Sequence, residues 1–252
     1  MGGLYDRTAV AYDVIERSFG KDYATESTEL LRLIRRWVPD IASVLDVGCG
    51  LGRHLMELTA ALPEAQGVEP SEGMIEAAGR LHPGLHIQPG DMRSFDLGRT
   101  FDAVVCLWGT IGYMTTKADL DAAVTNMASH VRPGGALVVE GWFTPEQWPS
   151  GRMATHVTSE DGIGVGRLVA STASRDGRLS EMHMSYLVLE RGSVSQFHEV
   201  HTQGLFTDAE YSAAFSQAGL VPVAPEGWPG NKMPLRLAVR PSTPSVPPGP
   251  RP

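Results

Sequence analysis

Cysteine is almost missing from this chain: only Cys49 and Cys106 occur, one inside a glycine-rich turn and one in a run with buried-strand character. Two thiols so placed cannot form a disulfide framework, and they point to a reducing cytoplasm. Nor is there a long hydrophobic run. No apolar stretch approaches 18 residues and no charged-then-apolar leader opens the chain, so neither a membrane span nor secretion is expected. Positive charge is also scarce. With 21 Lys and Arg against 29 Asp and Glu the formal net charge is -8, which argues against a general nucleic-acid binder. The histidines show no metal-ligand spacing, and internal repeats are absent. The remainder, 42% hydrophobic and 20% charged residues over 252 positions, describes a globular chain able to bury a substantial core.

The most informative stretch that is present runs Val44-Leu45-Asp46-Val47-Gly48-Cys49-Gly50-Leu51-Gly52-Arg53-His54. Val44, Leu45 and Val47 suit a strand covered on both faces. The glycines then permit backbone angles or close approaches that a Cβ would block, and a helix follows whose opening N–H groups face a ligand. A dinucleotide site needs G-x-G-x-x-G with an acid about 20 positions on. Here the spacing is G-x-G-x-G and Asp46 precedes the first glycine, which favours a cationic amino-acid end over a pyrophosphate. A second short strand ends at Glu69, where a carboxylate can accept both hydroxyls of a ribose. A third ends in Gly90-Asp91-Met92, with Asp91 placed to accept from the exocyclic amine of adenine and Met92 to pack near the ring. Three acids at successive strand ends would share one edge of a parallel sheet, the edge where such folds bind ligands.

Strand and helix patterns alternate along the chain. A helix over 25–38 presents Leu30, Leu33, Ile34 and Trp37 on one face. Then come strands and helices at 41–47, 53–62, 65–68, 71–80, 85–88, 101–107, 117–130 and 136–140, with Arg132-Pro133-Gly134-Gly135 as a turn before the last. From Arg152 to His201 the pattern becomes β-rich, with turns at Asp161-Gly162, Asp176-Gly177 and Arg191-Gly192. Thr207-Asp208-Ala209-Glu210 is a capping box, and 220–224 with 235–239 would close the main sheet as an antiparallel pair. The fold class expected is thus α/β: a Rossmann-like, doubly wound, mainly parallel seven-stranded sheet carrying an inserted antiparallel β cap. The boundaries are an N-terminal lid at 1–24, a core at 25–142 and 202–240, the cap at 143–201, and a proline-rich, disordered tail at 241–252.

Taken as a set, Asp46 to Gly52, Glu69, Gly90-Asp91-Met92 and Arg132 to Gly135 resemble the motifs of class I S-adenosylmethionine-dependent methyltransferases, over roughly residues 40 to 140. The resemblance implies that Gly48 and Gly50 line the methionine part, Asp46 orders the turn and reaches the methionine amine, Glu69 takes the ribose hydroxyls, and Asp91 with Met92 holds the adenine. Leu107 would offer its carbonyl near the sulfonium. A closer likeness extends to about Val239. Phe19-Gly20-Lys21-Asp22-Tyr23, Trp108-Gly109-Thr110-Ile111-Gly112-Tyr113, Glu140-Gly141-Trp142-Phe143 and Phe197-His198-Glu199-Val200-His201 look like the bacterial N,N-dimethyltransferases of desosamine- and mycaminose-type amino sugars. It adds Tyr23 to the cofactor contacts and implies a nucleotide-linked amino sugar, methylated twice, as the small-molecule partner. Gly141, Trp228 and Asn231-Lys232 depart from that pattern.

Methyl transfer from a sulfonium is an in-line displacement, so alignment alone can supply up to about 7 to 11 kcal/mol and a strong base is optional. Polar aromatics at the mouth of the sheet are the catalytic candidates: Tyr12 from the lid, Tyr113 after the fourth strand and His201 from the cap. Trp108 and Trp142 are the candidate substrate and sulfonium walls, offering about 0.5 to 2 kcal/mol of cation-π attraction. Arg152 and Lys232 are placed to meet a diphosphate. The competing readings are a buried helix ring for Tyr12, a structural hydrogen bond for His201, a core role for Trp142 and solvated cations for Arg152 and Lys232. An N- or O-methyltransferase of a non-nucleotide small molecule, such as an amino acid, peptide or finished antibiotic, is the alternative. A non-catalytic scaffold and a dehydrogenase fit less well. A homodimer is compatible with the sequence and not decided by it.

Overall fold

The computed structural model describes residues 9–224 and 233–242. Helix α1 (Ala9–Ser18) and helix α2 (Tyr23–Arg35) come first, then strand β1 (Ser43–Val47), α3 (Arg53–Ala61), β2 (Glu64–Glu69), α4 (Glu72–Leu81), β3 (Ile87–Pro89) and β4 (Phe101–Cys106). A short 3₁₀ turn (Thr110–Tyr113) leads to α5 (Lys117–Ser129) and β5 (Val131–Glu140). Strands β6 (Met153–Glu160), β7 (Ile163–Ala173), β8 (Leu179–Glu190) and β9 (Ser193–Gly204) follow, and α6 (Asp208–Gln217), β10 (Val221–Val223) and β11 (Leu235–Val239) close the chain.

Seven strands form one sheet in the order β10-β11-β5-β4-β1-β2-β3. The five from β3 to β5 are parallel, while β11 runs antiparallel to β5 and β10 to β11. Alternate residues of the central strands go to opposite faces. Leu45, Val47, Val104, Cys106, Leu137 and Val139 pack with Leu120, Val124 and Met127 of α5 and Tyr211 and Phe215 of α6. Val44, Ala103, Val105, Ala136 and Val138 pack with Leu30, Leu31 and Ile34 of α2 and Leu58 of α3. Both faces being covered explains the near-continuous apolar text of β1, β4 and β5.

Two local details differ from the sequence expectation. Helix α2 ends at Arg35, and Trp37 is 47% exposed while Val38 takes the inner place at 2%. After Arg35 the backbone tightens into i−3 bonds, Arg36 N–H to Leu33 O and Trp37 N–H to Ile34 O, which turns each residue further round the axis than an α-helix does. The Arg132 to Gly135 turn lies inside β5 as a bulge: Phe101 pairs with Val131, yet Ala103 pairs with Ala136.

The remaining four strands make a separate antiparallel meander, β6-β7-β8-β9. Its first and last hairpins turn on Asp161-Gly162 and Arg191-Gly192, all four residues with φ between 49° and 79°, as a two-residue type I′ connection requires. The inner face of the meander carries Val165, Met184 and Tyr186, which bury Ala11, Val14 and Ile15 of α1. Helix α1 is also held electrostatically on both sides. Arg17 bonds Glu160 (2.7 Å) and Asp161 (3.1 Å) of the β6–β7 hairpin, and Asp13 pairs with Arg53 at the start of α3.

Candidate active site

Sheet order reverses between β1 and β4, and the crevice beyond the carboxyl ends of those strands is where an open α/β sheet binds its ligand. A cavity of about 460 Å³ lies there, roofed by α1 and the meander. Its floor is the glycine turn. Gly48, Gly50 and Gly52 have φ of +72°, +54° and +73°, and a Cβ on Gly48 would collide with Thr110 Cγ2. The Gly50 N–H donates to Glu69 Oε2 at 2.9 Å and the Ser71 N–H to Oε1 at 3.0 Å. Glu69 is thereby fixed by main-chain donors with its carboxylate on the cavity wall.

Asp46 is buried on the same wall, and its carboxyl is pushed up to about 7, chiefly by burial and then by repulsion from Glu69, with Lys21 opposing. A cation entering the cavity would relieve that repulsion and restore the ionised form. Lys21 itself is buried: Nζ lies 3.2 Å from Glu26 Oε2 and 3.2 Å from the centroid of the Trp108 ring. Burial pulls its pKa down. Trp108 sits in the left-handed region at φ 59°, a conformation that costs a non-glycine residue energy, and its N–H donates to the buried Glu140 carboxylate at 2.6 Å. The cation stacked on Trp108 is thus Lys21.

On the acceptor side, the Tyr113 hydroxyl lies 2.7 Å from His201 Nδ1, and His201 Nε2 lies 3.1 Å from Glu199 Oε2. With the neutral imidazole, the carboxylate can only accept, so Nε2 carries the proton and Nδ1 accepts from the phenol. Tyr113 lines the cavity, and His201, fully buried, stands behind it. Tyr12 lines the cavity too, its ring half-buried against Ala9, Leu51, Met74 and Ala77.

Tyr12, Tyr23, Asp46, Gly48, Gly50, Glu69, Leu107, Trp108, Tyr113, Trp142 and Arg152 all converge on this cavity. The Leu107 carbonyl accepts from the Thr110 hydroxyl (2.7 Å) and N–H (3.2 Å), so it is committed to its own turn. Asp91 and Met92 are outside the lining: Asp91 is bound by Arg93 at its backbone N–H (2.9 Å) and guanidinium (2.6 Å), and Met92 packs into the core. Lys232 lies outside the described residues, as do Trp228 and Asn231. Glu16, Lys21, Trp148 and Arg167 also line the cavity and were not singled out by the sequence patterns. Of these, Lys21 had a local signal, the Phe19 to Tyr23 motif; the others come together only through the fold.

Bare main chain beside two buried, mutually repelling carboxylates fits a cationic nucleoside with vicinal hydroxyls. Residues 44–135 match the methyltransferase domain family. The dTDP-3-amino-3,4,6-trideoxy-alpha-D-glucopyranose N,N-dimethyltransferase of Streptomyces venezuelae is 40% identical over 225 residues, covering 89% of this chain and 94% of that one. The chain belongs to the amino-sugar N,N-dimethyltransferases. It is an S-adenosyl-L-methionine-dependent methyltransferase. Another relative, the dTDP-4-amino-2,3,4,6-tetradeoxy-D-glucose N,N-dimethyltransferase of Saccharopolyspora spinosa, is 39% identical over 86% of this chain and 88% of its own. The S-adenosylmethionine-bound amino pentose methyltransferase CalS10 of Micromonospora echinaspora superimposes with a TM-score of 0.80 at 37% identity, over 91% of this chain and 96% of that one. No helix of the described residues is long and apolar enough to cross a membrane.

Proposed function

We propose that this dimethyltransferase acts on the amine of a dTDP-linked deoxy amino sugar and adds two methyl groups in succession. The observation that carries the reading is one cavity with two chemically different halves. The glycine turn, Asp46 and Glu69 form a wall suited to a cationic nucleoside, and opposite it α1 supplies Tyr12, the 141–152 connection Trp142, Trp148 and Arg152, and the meander Arg167. Relatives covering most of this chain act, by their names, on dTDP-3-amino and dTDP-4-amino sugars. The bound cofactor supplies an electrophilic methyl on a sulfonium that leaves as a neutral thioether. Everything else falls to the chain's own groups.

Asp46 and Glu69 hold the cofactor's cationic and ribose ends. Tyr113, steadied by His201 and Glu199, is a fixed hydroxyl that orients the incoming amine and passes its proton on, and Tyr12 closes the opposite side. Arg152 and Arg167 are the cations offered to the diphosphate. The aromatic walls exclude water, so most of the acceleration comes from approach and alignment, worth up to about 7 to 11 kcal/mol. Two unpaired thiols, Cys49 and Cys106, accord with a reaction in the reducing cytoplasm.

Incubation with S-adenosylmethionine and a panel of dTDP-3-amino and dTDP-4-amino deoxy sugars tests the assignment by mass spectrometry. The expected result is a mono-methylated intermediate followed by a dimethylated product. Inert amino-sugar nucleotides alongside methylated free amino acids or peptides would overturn it.

A further inference from the structure

One carboxylate in the cavity belongs to neither the cofactor wall nor the tyrosine–histidine pair. Glu16, in the last turn of α1, is 5% exposed and lines the cavity, and its Oε2 is buried with no hydrogen-bond partner among the described residues. A buried, unmatched carboxylate oxygen is expensive to maintain. Among the described residues no cation pairs with it. Lys21 is engaged by Glu26 and the Trp108 ring, Arg53 by Asp13, Arg17 by Asp13, Glu160 and Asp161, and Arg167 by Tyr186. The helix that carries Glu16 cannot easily turn it away, because Asp13 and Arg17 tie α1 to α3 on one side and to the β6–β7 hairpin on the other.

We infer that Glu16 is the group that recognises the acceptor's amine, accepting an N–H hydrogen bond at Oε2 and so selecting an amino sugar over the same sugar bearing a hydroxyl. This rests on the acceptor reading given above and deepens it. An amine, protonated or neutral, has N–H donors to offer the orphan oxygen, and in the protonated form it also supplies the missing countercharge. A hydroxyl offers one donor and no charge. Burial raises the Glu16 pKa, with Lys21 and Arg167 opposing, so an arriving ammonium would also hold the carboxylate in its ionised form. Glu16 lies on α1, whereas Asp46 and Glu69 end β1 and β2, which separates acceptor recognition from cofactor binding.

The test compares two ligands by calorimetry, with S-adenosylhomocysteine saturating: a dTDP-amino deoxy sugar that the wild-type enzyme methylates, and its analogue with hydroxyl in place of the amine. Wild-type enzyme is expected to prefer the amine. In Glu16→Gln that preference falls about ten- to hundredfold, the effect of losing a hydrogen bond to a charged group, with S-adenosylhomocysteine affinity and the melting temperature kept near wild type. Glu16→Asp should retain part of the preference. An undiminished amine preference in Glu16→Gln overturns the inference and leaves the substrate assignment standing. Equal weakening of S-adenosylhomocysteine places Glu16 on the cofactor and also overturns it. If wild type binds neither nucleotide, the substrate assignment fails and takes this inference with it.

Discussion

Gly48 is constrained twice, by a left-handed backbone at φ +72° and by Thr110 Cγ2 in the space a side chain would need. The two constraints can be separated. Gly48→Ala is expected to lower the melting temperature and weaken S-adenosylhomocysteine binding. Adding Thr110→Ser removes the offending methyl and keeps the hydroxyl bond to the Leu107 carbonyl. Thermal melts of the single and double variants should then show partial recovery, leaving the about 1–2 kcal/mol that a left-handed backbone costs a residue with a Cβ. Full recovery would mean that the angle costs nothing there. Gly141 follows similar logic. A Cβ at that position would overlap Arg236 Nη1, and Arg236 stacks 4.0 Å over the Tyr211 ring while Nε donates to Asp208 at 3.1 Å. The departure from the family pattern at Gly141 therefore leaves room for a guanidinium that joins β11 to α6.

Helix starts are set by side chains that satisfy the orphan N–H groups of the first turn. Thr207 does so for α6: its hydroxyl accepts from the Glu210 N–H at 3.3 Å, and the Glu210 carboxylate accepts from the Thr207 N–H at 2.8 Å. Thr207→Ala should cost about 1 kcal/mol and lower the melting temperature by about 2–4 °C, read by calorimetric unfolding. Such caps, the βα alternation and the two-residue hairpin turns are written in contiguous residues, so the seven-stranded sheet and the meander were both legible from sequence. The glycine turn and Glu69 were legible for the same reason, each sitting at the end of a strand whose pattern is local. Glu16, Trp148 and Arg167 were not. Their convergence depends on how α1 and the meander close over the sheet, and nothing in the periodicity of α1 or β7 encodes that angle. Asp91 shows the converse: its place at a strand end suggested a ligand, but Arg93, two residues on, already occupies it.

Across the whole molecule few acidic side chains are buried, and most of those that are lie near the cavity. Asp46, Glu69 and Glu16 are buried and line one cavity, Glu140 is buried where it accepts from the Trp108 N–H, and the Lys21 side chain is lodged near them. Asp46 is ionised near neutrality only in part, since its carboxyl stands at about 7 rather than 3.8. The folded, ligand-free protein holds this proton more tightly than the unfolded chain does, so between about pH 4 and 7 this group makes stability fall as pH rises. In the role proposed for Asp46, the cationic cofactor binds its ionised form. Affinity for S-adenosylmethionine should therefore drop below about pH 7, by up to about tenfold per unit. Calorimetry in buffers of different ionisation enthalpy should register proton release on binding, and Asp46→Asn should abolish both the slope and the release. The arrangement of strands has another consequence, for the order of assembly. Each strand of the meander pairs with its neighbour in the chain, whereas β4 must find β1 and β5 must wait for β11 at the far end. Emerging from a ribosome, 153–204 can zip up by local contacts while the sheet beneath still lacks its last strands. The roof is finished before the house.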